Sequence, residues 1–180
     1  GRETLLCAPQ LSLFRASTDN DDGNGYSVRQ GVYHLISRYN RRSHAHVETE
    51  DGCTRLTYRY TTPMLKDFEM SVVYTVRSQD AVEVTVNWPG VPDLPDMPAL
   101  GLSFQLDPRL DTVNYYGYGP AENYVDRREG AYLGWHLYRV KDGMSPYLNP
   151  QESGNRGGVQ SLSVTDKDQH GVLVMGDNLE

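Results

Sequence analysis

The chain has 180 residues, of which 38% are hydrophobic and 23% are charged, and its formal net charge is −7. These values are typical of one packed domain, so we predict a single domain over residues 1–180 and exclude global disorder. The sequence contains neither a basic block nor an apolar run of roughly 18 residues, so nucleic acid and membrane are not expected partners.

The composition favours β-structure along the whole chain. Thirteen Tyr, with many Val and Thr, occur in short segments separated by Gly, Pro, Asn and Asp, as in strands and turns. No window has the sustained apolar spacing of a long amphipathic helix. We therefore predict an all-β chain folded as an antiparallel β-sandwich.

Residues 19–25 (DNDDGNG) are the first distinctive segment, and they partly fit the pattern of a calcium loop. Counted from Asn20, the oxygen ligands Asp22 and Asn24 are in place. The twelfth position is Gly31, which cannot supply the required carboxylate. We predict a polar turn with Asx-type hydrogen bonds rather than a metal site.

A first hairpin is predicted from residues 44–50 and 53–60. The two segments flank Asp51 and Gly52, the favoured pair for a two-residue type I′ turn. With that turn, one face carries apolar residues and the other pairs opposite charges across the strands, so pattern and turn agree. The predicted pairs are Glu50 with Cys53, Glu48 with Arg55, Val47 with Leu56, and Ala45 with Tyr58.

A second hairpin is predicted from residues 68–77 and 81–88. Pairing Val76 with Val82 leaves the loop 78–80 and places the alternate apolar residues of both strands on one buried face. Further strands are predicted at residues 32–39, 99–106, 112–118, 158–164 and 171–175.

The segment between the second hairpin and the next strand is predicted to be a loop. Residues 89–98 contain four prolines, which cannot support a regular ladder of hydrogen bonds.

Two histidines and two cysteines are the obvious candidate metal ligands. His44 and His46 alternate onto one strand face, but no third ligand is visible, so we predict two solvated histidines. Cys7 and Cys53 are too few for a disulfide framework. We predict two reduced, partly buried thiols, with a single bridge in an exported protein as the alternative. We expect a cytoplasmic protein with no metal and no cofactor in this chain.

Residues 117–128 (GYGPAENYVDRR) are the most distinctive stretch. The third glycine of a dinucleotide fingerprint is missing. Glu122 and Asp126 could be the carboxylate pair of a glycosidase, which requires a defined separation. We favour a rigid loop in which these carboxylates pair with Arg127 and Arg128 or across an interface. No other part of the chain supplies a catalytic partner.

Four sequence blocks occur in a fixed order. They are residues 14–16 with 19–23 (FRA and DNDDG), residues 98–102 (PALGL), residues 116–127 (YGYGPAENYVDR) and residues 145–156 (SPYLNPQESGNR). Together they resemble the carboxy-terminal, small-chain domain of large, lactose-hydrolysing β-galactosidases of glycoside hydrolase family 2.

The resemblance implies a β-sandwich of the galactose-mutarotase-like supersandwich kind. It also implies a parent enzyme that hydrolyses terminal β-galactosides with retention, using two glutamates and a divalent cation (Mg²⁺) in a separate (β/α) barrel. Because nothing in this sequence matches that barrel, we predict no catalytic residue in the chain. In the family the domain continues beyond the position of residue 180, so we expect an excised part with an unpaired sheet edge, through which it self-associates.

We predict a non-catalytic domain that braces the catalytic barrel and subunit interfaces of a β-galactosidase. Its partners would be the remaining domains of the parent protein, with a galactoside as a further ligand. The alternative is an independent carbohydrate-binding or aldose-mutarotase-like module. The candidate carbohydrate-binding or interface residues are Arg15, Asn20, Glu122, Asn123, Asp126 and Arg127.

Overall fold

The computed structural model of the protein describes residues 3–77 and 81–179. The chain divides into two compact units. Unit 1 consists of Gly1–Pro9, Ala16–Asp19 and Phe104–Glu180, and unit 2 of Gln10–Arg15 and Asn20–Ser103. The single domain expected over residues 1–180 stays a prediction.

Strands dominate the secondary structure, and helices are few and short. The strands are β1 (Gln10–Ser12), β2 (Arg41–Arg42), β3 (His46–Glu50), β4 (Cys53–Thr62), β5 (Leu65–Val76), β6 (Val82–Asn87), β7 (Gly101–Ser103), β8 (Thr112–Gly119), β9 (Tyr132–Arg139), β10 (Val159–Thr165) and β11 (Gly171–Leu179). The helices are α1 (Asp19–Asn24), α2 (Tyr26–Arg29) and α3 (Gly31–Arg38), with a 3-10 turn at Val140–Asp142. Every described strand pair is antiparallel, which confirms the predicted all-β, sandwich-like class.

The sheet of unit 2 contains the first predicted hairpin in the predicted register. Its strand order is β2-β4-β5-β6, with β3 also paired to β4. Glu48 lies opposite Arg55, and the turn residues Asp51 and Gly52 have φ values of 50° and 75°, as a type I′ turn requires. All five residues of β3 are exposed, including Val47 on the apolar face of the hairpin. Among the described strands, β3 pairs with β4 alone.

The second hairpin is also confirmed, with Val76 opposite Val82. Its loop, residues 78–80, lies outside the described residues. On β5 the predicted alternation gives a core, because Phe68, Met70 and Val72 are buried there. For the second strand of the hairpin the prediction holds in part. Val86 and Trp88 are partly buried against the unit 2 core. Val82 and Val84 are exposed, and among the described strands β6 is an edge strand paired with β5.

Two segments predicted without helix are helical. In the segment predicted as a strand at residues 32–39, residues 32–38 belong to α3, and Tyr33 and Ile36 are buried on one face at the helical spacing of three residues. Both join the unit 2 core. The predicted polar turn at residues 19–25 contains α1, and no residue of that helix is buried. Residues 99–106 form only the short strand β7, whereas residues 89–98 contain no described strand, as predicted.

The sheet of unit 1 has the order β11-β10-β8-β9. The predictions at residues 112–118, 158–164 and 171–175 are confirmed by β8, β10 and β11, whereas β9 was not predicted. A small core of Val113, Tyr115 and Val159 lies against one face of this sheet.

The remaining sequence expectations concern isolated side chains. Cys7 and Cys53 are both free and partly buried, as predicted. His46 lies opposite Thr57 and is exposed; His44 is exposed as well. Over residues 3–77 and 81–179, no helix is both long and apolar enough to cross a membrane.

Candidate functional site

The distinctive stretch at residues 117–128 begins where β8 ends, and close packing fixes its start. Gly119 is the last residue of β8, and a Cβ atom built there would clash with the Tyr115 hydroxyl and lie 2.7 Å from Cδ2 of His136. His136 is itself buried, and its ring packs against Tyr115 with centroids 5.1 Å apart. Glycine is therefore required at this point, and the following loop starts from a fixed position.

Glu122 is the centre of a hydrogen-bond cluster formed by two loops of unit 1. Its side chain is 4% exposed. One carboxylate oxygen accepts bonds from the Tyr147 hydroxyl and from Nη2 of Arg127 at 2.5 Å. The other accepts from the Gly154 amide at 2.7 Å and from the Ser153 hydroxyl at 3.3 Å. Four donors, all supplied by this chain, thus surround the carboxylate.

These donors decide the protonation state of Glu122. Burial alone would raise its pKa, but the hydrogen bonds from Tyr147 and from the Gly154 amide lead those that outweigh burial and lower the pKa from 4.5 to about 2. The side chain is therefore a carboxylate at neutral pH. A glycosidase general acid needs the opposite shift, a raised pKa.

Arg127 closes the cluster from its exposed side. Its Nη2 atom donates to Glu122 and also to the Tyr147 hydroxyl, at 2.6 Å. Its guanidinium carbon lies 5.3 Å from the centroid of the Tyr124 ring and 5.9 Å from that of the Tyr147 ring. Hydrogen bonding to Tyr147 raises the pKa of Arg127, so the cation is secure at every relevant pH. The internal pairing predicted for Glu122 and Arg127 is thus present.

Asn123, which is itself buried, anchors the same two loops through a second set of bonds. Its Nδ2 atom donates to the carbonyl of Tyr118 at 2.9 Å and to that of Ala121 at 3.3 Å. Its Oδ1 atom accepts from the amide of Gly157 at 3.1 Å. The backbone amide of Asn123 donates to the carbonyl of Asn155 at 3.0 Å, and Nδ2 of Asn155 donates to the carbonyl of Asn123 at 2.9 Å. Each donor and acceptor of the side chain therefore has a partner within unit 1.

The loop that contributes Gly154 is also tied to the segment at residues 16–19. Oε2 of Glu152 accepts from the amide of Ala16 at 3.0 Å, and the amide of Glu152 donates to the carbonyl of Ser17 at 3.1 Å. Next to it, Nε2 of Gln151 donates to Oδ2 of Asp19 at 3.4 Å. Parts of three blocks quoted from the sequence thus meet in unit 1.

The remaining candidate residues are in a turn of unit 1 and in unit 2. Asp126 is exposed in the turn that links Tyr124 to Arg127. Arg15 and Asn20 belong to unit 2. Arg15 pairs with Asp21 at 2.5 Å and lies over the Tyr26 ring at 4.8 Å, while Asn20 is exposed in α1.

One group of side chains in unit 1 could hold a cation by geometry. Ligand atoms of Asp166, Asp168 and His170 lie within 4.8 Å of one another. However, Asp166 already accepts the amides of Asp168 and His170, at 2.9 and 3.0 Å, in a tight turn. Lys167 and Arg109 line the same pocket as Asp166 and Asp168, and their positive charges would repel a cation there.

Sequence reasoning identified Glu122 and Arg127 but missed their partners. Tyr147, Ser153 and Gly154 are 25 to 32 residues away from Glu122 in the sequence. No local spacing rule connects groups at that distance. The available signal was their presence in the block at residues 145–156.

Comparison with known proteins places these features in a context. A family model described as "Beta galactosidase small chain" matches residues 1–177. A β-galactosidase of Streptococcus thermophilus is 37% identical over 172 residues, which is 96% of this chain and 17% of the relative. Relatives of the same name from Lactobacillus delbrueckii subsp. bulgaricus and Halalkalibacterium halodurans are 35% and 32% identical. They are matched over 93% and 97% of this chain, and over 16% and 18% of their own lengths. The chain thus spans less than a fifth of the length of these relatives.

Proposed function

Because the chain belongs to the β-galactosidase small-chain family, we propose that it is a non-catalytic scaffold within a β-galactosidase. In this role its loops brace the catalytic part of the parent protein or a neighbouring subunit. The parent's reaction would be the hydrolysis of terminal β-galactosides.

The observation that carries this proposal is the enclosure of Glu122. A catalytic carboxylate must reach the substrate, whereas this one is 4% exposed and accepts hydrogen bonds from its own loops. Its lowered pKa fits a structural anion that holds two loops together. Arg127 and Asn123 likewise use their polar atoms on the same loops.

The finer features of the proposal rest on the family resemblance. They are a position in the carboxy-terminal part of the parent, membership of glycoside hydrolase family 2, and retention of configuration. The two catalytic glutamates and a divalent cation would lie in a separate barrel domain, and the parent would be cytoplasmic. The relatives support such a division of labour because they are much longer than this chain.

An independent sugar-binding or mutarotase-like module is the rival function. It would use Arg15, Asn20, Glu122 and Arg127, of which Glu122 and Arg127 are already engaged with each other. Galactose titration monitored by tryptophan fluorescence separates the two functions. Saturable quenching would favour the rival, and an unchanged signal is expected here.

The direct test is a reconstitution. The purified 180-residue chain should not hydrolyse a chromogenic β-galactoside, because we place the reacting groups outside it. Addition of the remaining parts of the parent polypeptide should restore hydrolysis. Turnover by the chain alone would contradict the proposal.

A further inference from the structure

The outer face of the unit 1 sheet is apolar although it does not carry the unit's core. Strand register puts Trp135 and Leu137 of β9 beside Tyr116 and Asn114 of β8. Residues of β11 extend the same face on the far side of β10. We call this surface the outer face; its members are Asn114, Tyr116, Tyr118, Leu133, Trp135, Leu137, Ser161, Ser163, Leu173 and Met175.

The large side chains of the outer face are exposed to an unusual degree. Trp135 is 65% exposed, Leu137 71%, Leu173 63% and Met175 73%. An antiparallel sheet with one solvated face normally alternates apolar and polar residues, whereas strands covered on both faces are apolar throughout. The opposite face of this sheet already carries the core residues Val113 and Tyr115. On β9 and β11, the pattern is therefore that of strands covered on both faces, whereas β10 places Ser161 and Ser163 on the outer face.

The size and charge of the outer face match a protein interface. Four strands about 4.8 Å apart and eight residues long, at about 3.3 Å per residue, present roughly 500 Å². This equals the largest apolar patches of ordinary monomers and is more than half of the roughly 800 Å² that each partner buries in a standard interface. Arg139 lies at the end of β9, at one edge of the outer face, and its Nη1 atom is 2.5 Å from Oδ2 of Asp111, so its charge is paired. Tyr, Trp and Met, which interfaces favour, are all present.

We propose that another region of the same parent polypeptide covers the outer face, through a surface that is itself apolar and uncharged. More than four fifths of the length of the Streptococcus thermophilus relative lies outside the aligned region. A covalently linked partner acts at an effective concentration in the millimolar range, far above that of a free molecule. This inference rests on the proposed function, since it requires the rest of a β-galactosidase.

Two other occupants fit the face less well. A second copy of the chain brings its own net charge of −7, and like net charges repel. A sugar needs several convergent polar groups, whereas Leu137, Leu173 and Met175 offer none. In addition, the Ser163 hydroxyl already donates to the carbonyl of Asn114 at 3.3 Å.

The test uses the complete parent protein under hydroxyl-radical footprinting. Trp135 and Met175 should be oxidised about tenfold more slowly in the native parent than in the same protein unfolded, because interface cores exclude water. Met64, exposed in the turn between β4 and β5, serves as the internal control for reagent access. Rapid oxidation of Trp135 and Met175 in the native parent would overturn the proposal, as would protection that appears only when galactose is added.

A cross-linking experiment then identifies the occupant. The photoreactive residue p-benzoylphenylalanine replaces Trp135 in the parent, prepared as a mixture of light and ¹⁵N-labelled copies. Cross-links to residues outside this chain, within one isotopic species, are expected. Mixed-isotope cross-links would show a second molecule, and cross-links within residues 1–180 would show internal cover; both would overturn the proposal. Hydrolysis of a chromogenic galactoside by the same preparation reports separately on the proposed function.

Discussion

The two larger sheets that the structure describes obtain their order in different ways. In unit 2 the apolar residues of β5 pack with α3 and β1 in one buried core that contains Phe68, Met70, Tyr33 and Leu13. In unit 1 the buried core is small, and polar loop anchors around Glu122 accompany it. The outer face of the unit 1 sheet stays apolar and exposed. The larger buried core thus belongs to unit 2, and the outer face of unit 1 is the surface for which we propose a partner.

The largest expected effect separates the two sheets directly. Phe68 is buried against Trp88, with ring centroids 4.9 Å apart. Phe68→Ala should lower the free energy of unfolding by about 3–5 kcal/mol, since it leaves a cavity in the unit 2 core. In the 180-residue chain, Leu137→Ala on the outer face should change it by less than about 0.5 kcal/mol. Urea denaturation measures both, and equal losses would break the comparison.

The polar anchors of unit 1 give the next effect. Asn123→Ala should cost about 2–3 kcal/mol, because the buried amide of Gly157 loses its bond to Oδ1 and the carbonyl of Tyr118 is left with its 3.2 Å bond from the Tyr115 hydroxyl. Asn114→Ala, at an exposed position of β8, is the matched control and should be nearly neutral. Thermal unfolding followed by circular dichroism gives the difference. A loss no greater than that of the control would show that the loops are not held through Asn123.

Acid sensitivity tests the neighbouring anchor. The pKa of Glu122 is about 2 in the folded chain, below the ordinary 4.5, so its contribution is complete above pH 4.5 and is lost as the pH falls towards 2. Glu122→Gln should cost about 2 kcal/mol at neutral pH and flatten the loss of stability between pH 4.5 and 2. Urea titrations at several pH values measure this slope. Glu48→Gln, on the exposed strand β3, is the surface control, and a flattening of the slope no greater than in this variant would contradict the role of Glu122.

A smaller effect concerns the first hairpin of unit 2. Gly52 and Gly23 both have open space where a Cβ atom would be added. They differ in the backbone, because Gly52 has a positive φ of 75° and Gly23 does not. Gly52→Ala should therefore cost about 1–2 kcal/mol from backbone strain alone, whereas Gly23→Ala in α1 should be neutral or stabilising. Calorimetric melting temperatures of the two variants provide the comparison. A cost at Gly23 that matches the cost at Gly52 would exclude backbone strain as the cause.

The sequence was most informative where local chemistry decides the structure. The Asp51-Gly52 turn determines the register of its hairpin, and alternation on β5 predicts the buried Phe68, Met70 and Val72. It was misleading at residues 32–39, where β-branched and aromatic residues predicted a strand but the chain forms most of α3. There Tyr33 and Ile36 are placed by the core they join, so tertiary packing overrides β-propensity.

The candidate site could be predicted in part for a related reason. Glu122 and Arg127 are five residues apart in one loop, and their opposite charges predicted the pairing that the structure shows. The bond from Gly154 to Glu122 joins residues 32 apart, and chain folding alone brings them together. Strand β9 was missed although Leu133, Trp135 and Leu137 alternate along it. The side chains of all three are exposed, so burial within the described residues gives no sign of this strand.

The most direct test of the central claim is the activity of a Glu122→Gln variant of the complete parent enzyme, measured below its melting temperature. If Glu122 holds loops and takes no part in the reaction, kcat/KM should stay within about threefold of the parent value, with an unchanged pH profile. A fall in kcat of about a thousandfold or more in a correctly folded variant would place Glu122 among the reacting groups and contradict the scaffold role.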